Sequence, residues 1–140
     1  MPELWNLYDG QRQDTGLLHE RGKRLPDGFY HLVVQVWLIN RQGQCLMSRR
    51  HEDKPFPRYW ESTGGSVLAG EDSLHGAIRE VQEELGLAVN SASGRLISSQ
   101  CRESYHDFLD VWLFPAEVTL VPTLAYYPDV FRRARQLYEH

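Results

Sequence analysis

Cysteine is scarce in this chain, since its 140 residues include only Cys45 and Cys101. Their spacing fits neither a metal-ligand motif nor a disulfide framework, and both lie in apolar runs, so we expect buried free thiols. No apolar run approaches the roughly 20 residues that a membrane-spanning helix needs. The first ten residues also lack the basic and then apolar layout of a signal peptide. We therefore expect a cytoplasmic protein without a membrane partner.

An excess of positive charge is also lacking, because 15 lysines and arginines stand against 19 aspartates and glutamates, a net charge of −4. This balance argues against a broad surface for polymeric nucleic acid. A small anionic substrate needs only a few local cations and is not excluded. With 41% hydrophobic residues, the chain fits one globular domain over residues 1–140. Composition does not separate a monomer from a homodimer, and both stay open.

The densest chemistry lies between residues 65 and 87, where a glycine-flanked loop leads into a glutamate-rich segment. The apolar residues of that segment recur at helical spacing: Leu74, Ala77, Ile78, Val81 and Leu85. This stripe predicts an amphipathic helix. Asp72 and Ser73 are alternative N-caps, and Gly86 is placed for a left-handed helix stop.

Carboxylates occupy the side of this helix away from the apolar stripe. Glu80, Glu83 and Glu84 fall within an arc of about 100°, so they point at one small volume. Like charges this close repel unless a cation offsets them, and Mg²⁺ or Mn²⁺ prefers such oxygen ligands together with substrate phosphates. Arg79 can orient Glu83 from four residues away, and Glu71 lies at the positive end of the helix. The alternative is a solvated acidic face with Arg79 in a surface ion pair.

The rest of the chain alternates strand and turn patterns. We predict strands at 3–8, 29–40, 45–50, 95–103 and 108–118, with a hairpin between the second and third, and an amphipathic helix over 128–140. Residues 11–28 are polar and punctuated by glycine, which predicts a surface connection. His19 and Arg21 could reach a ligand from it, but a position in solvent is the favoured alternative.

Four cations lie just before the glycine loop: Arg49, Arg50, Lys54 and Arg58. Basic side chains next to a carboxylate and metal cluster are natural partners for phosphate oxygens, although a purely surface role is the alternative for each. Trp60 is expected in the core rather than as a platform for a base. Asp110, a charge inside a predicted strand, is expected either on an exposed face or directed at the site.

The segment from Gly65 through Glu71 to Leu87 reads G-x5-E-x7-R-E-U-x-E-E-x-G-U, where U is apolar. This pattern resembles the complete Nudix box, the signature of hydrolases that act on nucleoside diphosphates linked to another group. The resemblance implies an α/β fold, a Nudix-type α/β/α sandwich with a mixed central sheet, over roughly residues 29–120. Residues 1–28 would then be an N-terminal extension of the single Nudix domain, with the box at 65–87.

The same resemblance implies the roles of individual residues. The implied metal ligands are Glu80, Glu84, Glu83 and the Gly65 carbonyl. The implied catalytic residues are Glu83, as ligand or base, with Arg79, Glu71 and Glu80. The glycine loop at Gly64 and the helix N-terminus would accept phosphate oxygens. The implied cofactor is Mg²⁺, with Mn²⁺ as an alternative, and the implied partner is a small-molecule diphosphate, in particular a nucleotide.

Within the family, the segments before residue 40 and around 60–71 look like the branch close to isopentenyl-diphosphate isomerases. Those isomerases have a cysteine and a histidine where this chain has Gly64 and Ser66, and proton transfer at a double bond needs such partners. Hydrolysis is therefore the favoured activity, with isomerisation and a non-catalytic nucleotide sensor as alternatives. Asp110 falls near a site carboxylate of that branch. The chain is also short near residues 120–122 relative to the family pattern, either naturally or because a segment is missing.

Overall fold

The computed structural model describes residues 2–41 and 62–115 in full, and residues 45–49, 60–61 and 124–126 at the backbone only. The strands are β1 Leu4–Tyr8, β2 Asp14–Glu20, β3 His31–Ile39, β4 Cys45–Arg49, β5 Trp60–Glu61, β6 Thr63–Ser66, β7 Arg95–Arg102, β8 Asp107–Pro115 and β9 Leu124–Tyr126. The helix α1 is Ser73–Leu85. The helix predicted over 128–140 and the junction near 120–122 lie outside the described residues.

Strand β3 is the centre of a mixed sheet that has seven strands in the described part of the chain. Strand β8 pairs with β3 in parallel along its whole length, and β7 pairs antiparallel with β8. On the other side of β3, strand β6 pairs with Val33–Val36 and β4 pairs with Leu38 and Ile39. The predicted hairpin and mixed central sheet are confirmed. The order places the glycine-rich strand β6 beside the middle of the sheet.

The core lies between this sheet and α1. Alternate residues of β3 are buried, with Val34, Val36 and Leu38 each 1% exposed, as expected for one covered face of a strand. Ala77 and Val81 of α1 are fully buried in the same cluster. The apolar stripe predicted from helical spacing is therefore the packed face, and burying it supplies most of the driving force for docking α1.

Helix α1 begins and ends where the sequence predicts. Of the two candidate N-caps, Asp72 is the one used, because its carboxylate accepts the His75 backbone N–H at 2.8 Å. Gly86 ends the helix in the left-handed conformation, with φ of 68°. No helix within the described residues is long and apolar enough to span a bilayer.

The expectation of a surface connection is wrong for residues 14–20. They form strand β2, which pairs with β1 in a two-stranded sheet. His19 lies opposite Trp5 in this pairing and is only 9% exposed, so the prediction of a solvated His19 is wrong. Its Nε2 lies 2.9 Å from the Lys23 carbonyl oxygen. Arg21 is exposed as predicted and forms an ion pair with Glu3. A short polar strand lacks the apolar alternation by which strands are recognised in a sequence.

Cys101 corrects a second expectation, because its side chain is exposed on β7 rather than buried. Strand β7 is an edge strand of the described sheet, and most of its residues face solvent. The expectation of a buried thiol is wrong because the residues around Cys101 are mainly polar, as is typical of a solvent-facing strand: Ser98, Ser99, Gln100 and Arg102. The side chain of Cys45 lies outside the described residues.

The buried His31, at the start of β3, predicts a loss of stability in acid. Its ring stacks on Trp5 with centroids 4.0 Å apart, and its Nδ1 has no hydrogen-bond partner among the described residues. Burial lowers the pKa of His31 from 6.5 to about 4. Between these values the unfolded chain binds a proton that the folded chain does not, so the free energy of unfolding falls as pH drops from 6.5 towards 4.

We expect this one group to account for a loss of about 3 kcal/mol over that range. Urea unfolding of the wild type and of His31→Phe at pH 7 and pH 4.5 measures it. Phenylalanine retains the stacking on Trp5 and does not titrate, so the variant should lose less stability than the wild type. Equal losses in the two proteins would show that His31 is not the acid-sensitive group.

Candidate active site

Glycine at position 65 allows a carboxylate to lie directly against strand β6. A Cβ atom added to Gly65 would be 2.5 Å from Oε1 of Glu80, well inside van der Waals contact. Glu80 comes from the middle of α1 and is 9% exposed, so its carboxylate is held in the seam between helix and strand. The backbone at Gly64 passes equally close to β3, where an added Cβ would be 2.3 Å from the Val34 carbonyl oxygen. Close packing against β3 therefore explains why position 64 is a glycine. The contact between Gly64 and substrate phosphate stays a prediction.

Glu84, one turn after Glu80, is the second carboxylate at this seam. Its Oε2 accepts a hydrogen bond of 2.5 Å from the Thr63 hydroxyl of β6. The pKa of Glu80 is raised to about 7, first because burial disfavours its charged form, while Arg79 opposes the shift and the nearby Glu84 carboxylate adds to it. Glu80 and Glu84 lie close enough to repel each other, and a cation between them would offset that repulsion.

Arg79 connects the surrounding groups. Its Nε donates to Glu71 Oε2 at 2.8 Å, and its Nη2 donates to the Ser66 carbonyl at 3.0 Å. Its Nη1 lies 3.0 Å from Glu80 Oε1 and 3.1 Å from Glu83 Oε2. The other oxygen of Glu71 accepts the Leu68 backbone N–H at 2.9 Å. Arg79 and Glu71 thus tie the loop after β6 to α1, which is the geometry that an orienting role requires.

The three glutamates do not converge as the sequence suggests. Within the described residues, no three acidic, histidine or cysteine side chains are spaced to hold one ion. Glu83 is 59% exposed and separated from Glu80 by the Arg79 guanidinium, which compensates both charges. The expectation that all three share one small volume is therefore wrong for this arrangement. Glu80 and Glu84 are the pair that the fold brings together.

This pair suits a hard divalent cation. Carboxylate oxygens are the ligands that Mg²⁺ and Mn²⁺ prefer, and Mg²⁺ usually takes only one or two carboxylates with water and substrate phosphates completing its shell. The seam holds Glu80 and Glu84 side by side against a strand whose glycine leaves room for them. A bound cation would also oppose the raised pKa of Glu80.

Asp110 lies neither on an exposed face nor toward the site carboxylates, which were the two alternatives drawn from the sequence. It is 1% exposed, and its carboxylate is bonded to Arg12, Ser73 and Ser99 rather than directed at Glu80 and Glu84. Arg12 is the group that sequence reasoning missed, because it lies 98 residues away in the β1–β2 turn. No local pattern in the sequence indicates such a pairing.

The predicted phosphate-binding cations are not tested by the structure. Arg50, Lys54 and Arg58 lie outside the described residues. Arg49 is described only as backbone at the end of β4. Trp60 likewise is described only as backbone, in β5, which pairs with β4. The roles of these side chains stay predictions.

Comparison with known proteins decides the family. A family model described as NUDIX domain matches residues 29–133. The chain belongs to the Nudix family. An uncharacterized Nudix hydrolase of Listeria monocytogenes is 41% identical over 123 residues, which cover 84% of this chain and 70% of the relative. Membership makes the protein a Nudix hydrolase, an enzyme that acts on acid anhydrides.

Other relatives agree with the resemblance seen in the sequence. The isopentenyl-diphosphate Delta-isomerase of Citrobacter koseri is 33% identical over 87 residues, covering 61% of this Nudix chain and 48% of the isomerase. A crystal structure from Deinococcus radiodurans matches with a TM-score of 0.70 at 23% identity, over 97% of this chain and 99% of that one. The Ap4A hydrolase of Caenorhabditis elegans matches with a TM-score of 0.54 at 15% identity, over 79% and 99%. These structural likenesses confirm the fold.

Gly65→Ala should damage the site more than the fold. The added methyl group would lie 2.5 Å from Glu80 Oε1, and the flexible side chain of Glu80 can move away at little cost. Because displacing a reacting group by about 1 Å can cost up to about 10²-fold in rate, we expect turnover to fall at least about tenfold. Steady-state kinetics and thermal unfolding measure the two effects.

Gly76→Ala is the contrasting variant. A Cβ at Gly76 would meet a Val67 methyl at 2.9 Å in the core, away from the carboxylates, so stability should fall more than turnover of the folded protein. If Gly65→Ala kept wild-type turnover, the close packing of Glu80 against β6 would not be needed for catalysis.

Proposed function

We propose that this Nudix hydrolase is a metal-dependent pyrophosphohydrolase, which cleaves a diphosphate linkage in a nucleoside di- or triphosphate or a related nucleoside diphosphate derivative. The observation that carries the proposal is the pair Glu80 and Glu84, held against Gly65 and Thr63 beside the half-buried guanidinium of Arg79. Mg²⁺ is the proposed cofactor, with Mn²⁺ as a substitute. The family's hydrolytic chemistry and the acidic, oxygen-rich site both support this assignment.

The residues have two kinds of proposed role in hydrolysis: some would hold the cation, and others would orient the residues that hold it. When bound, the cation would supply Lewis-acid neutralisation of the charge that develops on the phosphate oxygens. Glu80 and Glu84 would hold it, and Arg79 with Glu71 would keep the helix and the loop after β6 in register. Glu83 is exposed and bonded to Arg79, and its proposed role is to accept a proton from the attacking water.

A cavity on the opposite face of the sheet is the proposed place for the organic part of the substrate. It has a volume of about 290 Å³, and its polar lining includes Gln35, Ser98 and Gln100 beside Trp37. The indole N–H of Trp37 is buried with no hydrogen-bond partner in the described residues. Gln35 donates to the Ser62 hydroxyl at 2.7 Å, and the next residue, Thr63, is bonded to Glu84. An indole face with amide groups suits a nucleobase.

The test is a hydrolysis screen with and without Mg²⁺ over nucleoside di- and triphosphates, nucleotide sugars and prenyl diphosphates, with products identified. The proposal expects Mg²⁺-dependent release of phosphate or pyrophosphate from a nucleotide. Conversion of isopentenyl diphosphate without phosphate release would instead favour the isomerase alternative, and binding without turnover would favour a sensor. For the cavity, Gln35→Leu should raise KM for the nucleotide substrate and leave Mn²⁺ binding unchanged.

A further inference from the structure

We propose that Arg12, Ser73, Ser99, Asp110 and Trp112, here called the anchor network, are positioning residues that fix how α1 presents its metal-binding carboxylates. The inference rests on the proposed function and adds to it a role for the segment that precedes the family match at residue 29. The network joins the β1–β2 turn, β7, β8 and the first residue of α1.

Both oxygens of the buried Asp110 are bonded within the network. Arg12 reaches it in a bidentate pair, with Nη1 donating to Oδ1 at 2.8 Å and Nη2 donating to Oδ2 at 2.5 Å. The Ser99 hydroxyl donates to Oδ1 at 2.6 Å, and the Ser73 hydroxyl donates to Oδ2 at 2.5 Å. The Trp112 indole N–H donates to the same Ser73 hydroxyl at 2.8 Å. Ser73 is therefore held by one donor and one acceptor, both from β8.

The position of Ser73 on α1 turns this contact into a constraint on the site. Glu80 follows Ser73 by seven residues and Glu84 by eleven, so the three lie along one side of the helix. A group fixed at Ser73 thus fixes the rotation of the helix about its axis. A rotation of about 15° would move a carboxylate about 6 Å from the axis by about 1.5 Å, enough to spoil its alignment.

Arg12 is placed for this role by its own backbone. It adopts a left-handed conformation, with φ of 61°, in the turn after β1, where its amide donates to the Asp9 carbonyl at 3.0 Å. This conformation is unfavourable for a residue with a side chain and persists only where surrounding contacts determine it. Its guanidinium also lies over the Phe108 ring, 5.7 Å from the centroid. Its partner Asp110 is buried, and an ion pair with a buried member adds little net stability because desolvation offsets the attraction, so fixing one helix orientation is the better account of the presence of Arg12.

A second ion pair to strand β8 serves as a matched control. Arg102 forms a bidentate pair with Asp107, at 2.8 and 2.7 Å, and Asp107 is 3% exposed, much as Asp110 is. None of the contacts described for this second pair reaches α1. Arg12→Met and Arg102→Met therefore remove the same kind of interaction from β8, and only the first touches the anchor network.

The experiment measures Mn²⁺ affinity by electron paramagnetic resonance, amide hydrogen exchange in α1, and thermal stability for the two methionine variants, Arg12→Lys and Ser73→Ala. We expect both methionine variants to lose stability. Only Arg12→Met and Ser73→Ala should bind Mn²⁺ more weakly, by roughly tenfold as is usual when a group behind a metal ligand is removed, and exchange faster along α1. Arg12→Lys should recover part of the affinity. Ser73→Ala keeps the ion pair between Arg12 and Asp110, so it tests the proposal even if Arg12→Met does not fold.

Wild-type Mn²⁺ affinity and α1 exchange in folded Arg12→Met and Ser73→Ala would overturn the proposal and leave the network a purely structural one. The readouts need no substrate, so they separate this inference from the proposed function. If the wild type hydrolyses no diphosphate, the proposed function is wrong. The positioning role of the anchor network would still hold if Arg12→Met and Ser73→Ala weaken Mn²⁺ binding. If the wild type binds no Mn²⁺, unchanged exchange in α1 of the variants overturns the proposal.

Discussion

Replacing Glu84 with glutamine is expected to lower kcat by at least about 10²-fold, as the loss of a charge-stabilising group typically does. Glutamine has nearly the same shape, and its carbonyl oxygen still accepts the Thr63 hydroxyl that now bonds to Glu84 at 2.5 Å. The negative charge at the seam with Glu80 is lost, and with it a ligand for a hard cation. Steady-state kinetics at saturating Mg²⁺ measure the effect.

Stability should move in the opposite direction to activity in this variant. Without Glu84, a source of the raised pKa of Glu80 is removed, so the metal-free protein should unfold at an equal or slightly higher temperature. Gln82→Ala is the control, because Gln82 is an exposed residue of the same helix. Wild-type turnover by Glu84→Gln would remove Glu84 from the site.

Arg79→Met is expected to lower both turnover and stability. The change removes the donor shared by Glu71, Glu80 and Glu83 and leaves their charges uncompensated in a region where Arg79 is only 21% exposed. We expect kcat to fall by about 10²-fold and the free energy of unfolding by about 2 kcal/mol. Kinetics and urea unfolding measure the two quantities.

Arg79→Lys separates charge from geometry. Lysine keeps a positive charge but has no planar fork with which to reach Glu71 and Glu80 together, so stability should largely recover while turnover stays low. Arg21→Met is the control, since Arg21 is 64% exposed in an ion pair with Glu3 and should matter little to either property. Full activity of Arg79→Lys would mean that Arg79 supplies only charge.

Helix α1 could be predicted almost completely because its determinants are local. The spacing of Leu74, Ala77 and Val81, the cap at Asp72 and the left-handed Gly86 all act within a few residues of sequence. The same holds for the strong strand pattern of β3. The family signature in residues 65–87 is local too, which is why the family could be inferred before the fold was known.

The parts that could not be predicted depend on distant partners. Asp110 is paired with an arginine 98 residues away, and His19 is buried because β2 folds onto Trp5. Exposure of Cys101 depends on which strand lies at the edge of the sheet. The arc of three glutamates is correct as helix geometry, and Arg79 bonds Glu83 as the spacing predicts, but the same guanidinium also bonds the buried Glu80, a contact that depends on how α1 packs against β6.

The proposed mechanism requires Glu80 and Glu84 to hold a divalent cation together. Titration of Mn²⁺ by electron paramagnetic resonance, with the wild type, Glu80→Gln, Glu84→Gln and Gln82→Ala, tests it directly. We expect one bound ion in the wild type and in Gln82→Ala, and affinity at least about tenfold weaker in each of the two variants that replace a glutamate. Equal Mn²⁺ binding by all four proteins would contradict the proposed mechanism.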